Sequence, residues 1–218
     1  MSLWIKICGN TSLNDAMLAA EAGANALGFV FAGSPRQITL EQAKAIVPQL
    51  PADVEKIGVF VDASFEEIAA AVETAGLTGV QLHFEPPDGL STRLRRRFGP
   101  SLRILRVVHF REAESLDATA LDDPDADGIL VDSRAATAPG GTGIAFDWDA
   151  AGRSLFGGSG KVKLIAAGGL KPENVAEAIA KLRPWGVDVV SGVELAPGKK
   201  DAVKVRAFVA NVRVAVSR

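Results

Sequence analysis

The chain has 218 residues, 48 % of them hydrophobic and 23 % charged, with a formal net charge of −2. That supplies a sizeable core and no global field to draw the protein to nucleic acid or anionic lipid. One cysteine excludes an internal disulfide framework and suits a reducing compartment, and two histidines leave little from which to build a zinc site. No secretory signal precedes the first strand, and the longest apolar run, around Ala24–Ala32, is too short to span a bilayer. The expectation is a cytoplasmic protein with no membrane or nucleic-acid partner.

The pattern in chain order is an alternation of short Val/Ile/Leu/Phe runs with amphipathic stretches, punctuated by Gly, Pro, Asp or Ser. It predicts strands over 3–8, 26–31, 56–61, 79–83, 102–108, 127–131, 162–166 and 187–191. Helices are predicted near 12–22, 40–49, 65–75, 88–98, 112–121, 148–155, 173–182 and 200–214. Ser64 and Glu67 form a capping box ahead of Phe65, Ile68 and Val72. Gly76 and Gly99 fall where helices should stop, and Pro172 sits at a predicted first helical turn. The strands are apolar on both faces, as in a parallel sheet covered by helices. Eight strand–helix units in this length predict one α/β domain over 1–218, a TIM (β/α)8 barrel. The rival, a doubly wound sheet, would carry G-x-G-x-x-G after its first strand, where this chain has Cys8-Gly9-Asn10-Thr11.

In a barrel of this kind the chemistry comes from the C-terminal ends of strands and the loops that follow them. That rule selects Cys8, Arg36, Asp62, His83, Asp132, Gly168-Gly169 and Ser191-Gly192. The glycines after strands 7 and 8 fall at the fold's usual phosphate site, where backbone N–H groups approach an oxyanion closely. Asp132 emerges from the apolar run Gly128–Val131, so desolvation should raise its pKa and suit it to general-acid work. The glycine-rich stretch Ala138–Gly143 that follows reads as a lid rather than a capped helix. Asp62, two residues before Ser64, reads as a turn or cap. Arg36 carries a planar fork that fits a carboxylate or phosphate, although a lone loop arginine is more often solvated. His83 ends a strand, where a histidine is either structural or substrate-lining. Arg93, Arg95, Arg96 and Arg97 read as the solvated face of an outer helix. Strand alternation turns Trp4, Lys6 and Cys8 inward and Ile5 and Ile7 toward the helices. The Lys6 charge is therefore expected to favour the Cys8 thiolate, the form in which a thiol is a useful base.

Seven segments in register resemble the phosphoribosylanthranilate isomerase family. They are Lys6–Gly9, Ser34–Arg36, Val80–His83, Val131–Ser133, Gly141–Gly143 with Phe146–Trp148, Gly168–Val175, and Gly186–Asp188 through Ser191–Glu194. The resemblance implies an Amadori rearrangement in tryptophan biosynthesis, with Cys8 as general base and Asp132 as general acid. It further implies that Arg36 holds the anthranilate carboxylate and that His83 lines the substrate site. Gly143, Gly168, Gly169, Ser191 and Gly192 would take the phosphate. The implied enzyme acts on a small phosphorylated substrate without cofactor or metal, as a monomer or homodimer. Two departures stand out: Phe84-Glu85-Pro86-Pro87 replaces the usual glycine and acidic residue after the histidine, and Val190 stands where a second serine is common. Other sugar-phosphate barrel enzymes of the tryptophan and histidine pathways are the alternatives, and they call for lysine, glutamate or aspartate at strand ends where this chain has Cys8. A barrel that binds a phosphate ligand without turnover, or senses redox state through Cys8, is a further alternative, with no need of Asp132.

Overall fold

The computed structural model describes residues 3–87, 89–109, 123–132 and 162–217. Eight parallel strands close into a barrel in chain order. They are β1 Trp4–Ile7, β2 Ala26–Val30, β3 Glu55–Phe60, β4 Gly79–Leu82, β5 Arg103–His109, β6 Gly128–Asp132, β7 Leu164–Ala167 and β8 Gly186–Val189. β8 pairs back onto β1 from Trp4↔Gly186 to Ile7↔Val189, which closes the ring. The barrel, and not the open doubly wound sheet, is the fold. Around it lie α1 Leu13–Glu21, α2 Leu40–Ile46, α3 Phe65–Ala75, α4 Leu90–Phe98, α5 Val175–Leu182 and α6 Ala202–Val216. A short antiparallel hairpin, β9 Glu194–Ala196 and β10 Lys199–Lys200, precedes α6. The helices expected at 112–121 and 148–155, and the Ala138–Gly143 stretch, lie outside the described residues. No helix among the described residues is long and apolar enough to cross a membrane.

The core has two layers because each strand alternates faces. Ile5, Ile7, Leu27, Phe29 and Leu82 pack outward against Ile68, Leu94, Val175 and Phe208 of the helices. Inside, Trp4, Ile57, Leu105 and Ile165, from alternate strands, form one layer. The strands between them contribute Ala26, Gly79, Gly128 and Gly186. A Cβ on Gly79 would stand 2.5 Å from Ile57 Cδ1, and one on Gly186 2.9 Å from Trp4 Cε3. The barrel floor closes because large side chains alternate around it with alanine or glycine.

The joints follow the sequence closely. Ser64 and Glu67 make the reciprocal capping box, and Gly76 ends α3 at a left-handed φ of 71°. α5 starts later than predicted: Pro172 lies in the turn before it, and Asn174 is its N-cap. On α4 the arginines divide. Arg93 and Arg97 make exposed pairs with Glu66 and Glu73. Arg95 departs from the solvated-face reading. It donates to the carbonyls of Gly99, Leu102 and Asp125 and to Asp127 Oδ2, at 2.8–3.0 Å, and so staples α4 to the segments that lead into β5 and β6.

Candidate active site

A cavity of about 220 Å³ opens at the C-terminal ends of the strands. Cys8, Arg36, His83 and Asp132 line it together with Gly168, Gly169 and Ser191. Residues far apart in sequence are thus brought to one rim. Gly143 lies outside the described residues. Asp62 is exposed at a left-handed φ of 55° and takes no part in the cavity.

Cys8 follows β1, and its N–H donates to the Val189 carbonyl of β8 at 2.9 Å. Gly9 turns the chain at φ 76°. The N–H groups of Gly9 and Asn10 both donate to the Gly28 carbonyl at 3.0 Å, and the Asn10 side chain donates to the Ile7 carbonyl at 2.8 Å. The thiol fits because β2 has no side chain opposite it: a Cβ on Gly28 would stand 2.5 Å from Sγ. Below, Lys6 is fully buried and pairs with Asp188 at 2.8 Å. Burial works against the Lys6 ammonium, but the Asp188 carboxylate and Cys8 hold its pKa above the ordinary value. Burial pushes the Cys8 thiol up; Lys6 pulls it back, Asp188 adds to the rise, and Lys200 opposes it. Lys6 therefore favours the thiolate, as the alternation predicts, but desolvation outweighs it. The strand pattern points to Lys6 and gives no sign of Asp188, because the two meet only when the ring closes.

Arg36 is ion-paired and only partly exposed. Its Nε donates to Glu194 Oε1 at 2.9 Å and its Nη2 donates to Oε2 at 2.7 Å. Glu194 also accepts from the buried Lys200 Nζ at 3.2 Å, and that ammonium donates to the Cys8 carbonyl at 2.5 Å. Burial opposes the Glu194 charge, yet the Arg36 hydrogen bonds and the Lys200 charge hold its carboxyl below the ordinary range. Burial lowers the Lys200 pKa against the pull of Glu194. In the sequence Glu194 only closes a motif, and Lys200 falls at the start of a predicted helix. The available signal was a run of charged residues around Pro197-Gly198, directly after an apolar strand.

Across the cavity Asp132 ends β6, 2 % exposed, and stands in register with His109 of β5 and Ala167 of β7. His83 Nδ1 lies 3.3 Å from Gln81 Nε2, and its ring meets His109 edge-on at 5.4 Å. Gln81 reads in the sequence as an ordinary strand residue, and His109 falls one position beyond the predicted fifth strand, so neither stands out. Of the two departures, Glu85 turns outward to pair with Arg106 at 3.0 Å, while Val190 lines the cavity. Gly168 and Gly169 hold left-handed φ values of 81° and 64°. Asn174 fixes their loop, accepting from the Lys171 N–H at 2.8 Å and donating to the Gly169 carbonyl at 3.0 Å. Gly192 packs so closely that a Cβ would fall on the Leu170 carbonyl, which locks the loops after β7 and β8 together. Among the described residues, no group of three His, Cys, Asp or Glu side chains could hold a metal ion.

Comparison with known proteins agrees with this geometry. The family model described as N-(5'phosphoribosyl)anthranilate (PRA) isomerase matches residues 5–211. The N-(5'-phosphoribosyl)anthranilate isomerase of Geobacter sp. (strain M21) is 44 % identical over 210 residues, covering 96 % of this chain and 97 % of that protein. The crystal structure of phosphoribosyl anthranilate isomerase from Thermotoga maritima is 37 % identical with a TM-score of 0.86, over 97 % of this chain and 99 % of that one. A phosphoribosyl anthranilate isomerase in complex with reduced 1-(o-carboxyphenylamino)-1-deoxyribulose 5-phosphate is 35 % identical with a TM-score of 0.81, over 97 % and 99 % of the two chains. A closed eight-stranded barrel, a cysteine and an aspartate on one rim, and matches that run almost end to end place this chain in the N-(5'-phosphoribosyl)anthranilate isomerase family.

Proposed function

We propose that residues 1–218 act as one catalytic unit in which Cys8 is the base and Asp132 the acid. The reaction carries N-(5'-phosphoribosyl)anthranilate to 1-(2-carboxyphenylamino)-1-deoxyribulose 5-phosphate, a step of tryptophan biosynthesis. Asp132 protonates the furanose ring oxygen as the aniline nitrogen's lone pair opens the ring to an iminium. Cys8 removes the C2′ proton, and the resulting enolamine tautomerises to the ketone. Because that nitrogen drives ring opening, one acid and one base complete the proton inventory, and the chemistry calls for no cofactor. Arg36 takes the anthranilate carboxylate and His83 lines the sugar site. The amides around Gly168, Gly169, Ser191 and Gly192, together with Gly143, take the phosphate. The enzyme works in the cytoplasm on this small phosphorylated molecule, without nucleic-acid or membrane partners, as a monomer or homodimer.

The observation that carries the reading is that Cys8 and Asp132, 124 positions apart in the sequence, line one cavity shared with Arg36 and the paired glycines. The test follows the fluorescence loss of phosphoribosylanthranilate generated in situ. Cys8→Ala and Asp132→Asn should each lower kcat by about 10²–10⁴-fold, the usual contribution of a positioned proton-transfer group. Full activity in either variant sinks the acid–base pair, and an inert wild type sinks the function.

A further inference from the structure

A guanidinium offers two edges for bidentate binding, one made by Nε and Nη2 and the other by Nη1 and Nη2. In this protein the first edge of Arg36 is already occupied. Nε donates to Glu194 Oε1 at 2.9 Å and Oε2 at 3.2 Å, and Nη2 donates to Oε2 at 2.7 Å. The Glu194 side chain is only 4 % exposed. Glu194 lies between two cations, Arg36 and Lys200, so it leaves the cluster net positive toward an anion while it holds the arginine's geometry. It fixes the plane of the guanidinium and leaves the Nη1/Nη2 edge for a ligand in the cavity that Arg36 lines. Glu194 is itself held in place. It accepts from the Gly198 N–H at 3.3 Å and from Lys200 Nζ at 3.2 Å, and the same ammonium grips the Cys8 carbonyl at 2.5 Å.

We propose that Glu194 is a positioning residue that aims Arg36, so that the substrate carboxylate is taken through Nη1 and Nη2. Lys200 joins this aim to the end of β1 and so holds the carboxylate clamp and the base at one spacing. The proposal rests on the reading of Arg36 as the carboxylate clamp. A binding cycle tests it. The ligands are reduced 1-(o-carboxyphenylamino)-1-deoxyribulose 5-phosphate and its counterpart lacking the carboxyl group, titrated calorimetrically. In the wild type, removing the carboxyl should weaken binding by about a hundredfold, the scale of a charge-assisted bidentate contact. In Glu194→Gln that factor should fall to about tenfold, because an unaimed arginine no longer discriminates. Glu194→Asp keeps the charge on a shorter arm and should fall between the two; it carries the test if Glu194→Gln does not fold. A merely structural Glu194 would weaken both ligands equally, and an unchanged ratio in a folded variant overturns the proposal. A wild-type ratio near one refutes the Arg36 clamp and the proposal with it. An inert wild type that keeps its ratio refutes only the reaction, and Glu194 is then still judged by whether the ratio changes.

Discussion

At the scale of single residues, the reactive thiol depends on what its neighbours lack and on what they carry. Gly28→Ala would drive a methyl to 2.5 Å from Sγ and 3.0 Å from the Cys8 Cα. Overpacking of this kind should cost about 1–3 kcal/mol and at least about tenfold in kcat, read by urea unfolding and steady-state assay; wild-type kinetics would show that the thiol has room to move. The second dependence concerns pH. Because burial lifts the Cys8 pKa above its ordinary 9.0, the thiolate is scarce at neutral pH and grows as pH rises through the higher folded value. Alkylation by iodoacetamide should therefore lag behind a free thiol below pH 9.0 and still be climbing above it. Lys6→Met should slow it further, as the nearest positive charge is lost. A rate that levels off well below pH 9.0 would contradict this ordering of burial over charge. Cys8 itself was legible from the sequence, because strand alternation and the barrel's polarity are local rules. Gly28 was not, since its requirement arises only where β1 and β2 lie side by side.

Among the elements, α4 shows where a reading by composition succeeds and where it fails. Its arginines share one outer helix, and the sequence gives no means of ranking them. The fold does so, through acceptors that the end of α4 leaves open and the approaches to β5 and β6 bring within reach. Arg95→Ala removes bonds to three carbonyls and to Asp127 and should destabilise by about 2–3 kcal/mol. Arg96→Ala, on an exposed position of the same helix, should stay within about 0.5 kcal/mol. Equal effects in thermal unfolding would return all four arginines to the solvated-face reading. Strand positions were legible to within a residue or two because the apolar runs are short and sharply bounded. The β9–β10 hairpin was not, since its strands of three and two residues carry too little pattern to stand out from the start of a helix.

For the whole molecule, the decisive contacts join the two ends of the chain. Lys6 on β1 and Asp188 on β8 form a buried pair across the last seam of the ring. Lys6→Met leaves a buried carboxylate without its partner and should cost about 3–5 kcal/mol, while Lys6→Met with Asp188→Leu should recover much of that. Urea midpoints decide, and a double variant no better than the single one would show that the pair does more than neutralise itself. Acid acts on the same seam. The Glu194 carboxyl titrates below its ordinary 4.5 when folded, so the stability it lends is complete above 4.5 and lost as pH falls through the lower folded value. Glu194→Gln should flatten that part of the acid unfolding curve. The seam also imposes a timetable on the thiol. Lys200 reaches the Cys8 carbonyl, Thr11 Oγ1 donates to the Gly198 carbonyl, and Lys6 meets Asp188, so part of the wall around Cys8 comes from residues 180–192 positions further along the chain. At ordinary translation speeds of about 5–20 residues per second, the nascent chain carries its cysteine without that part for roughly 10–40 s. The thiol is therefore expected to react faster with oxidants and electrophiles before β8 and Lys200 are in place than in the closed barrel, a difference that pulse alkylation of the nascent chain would read.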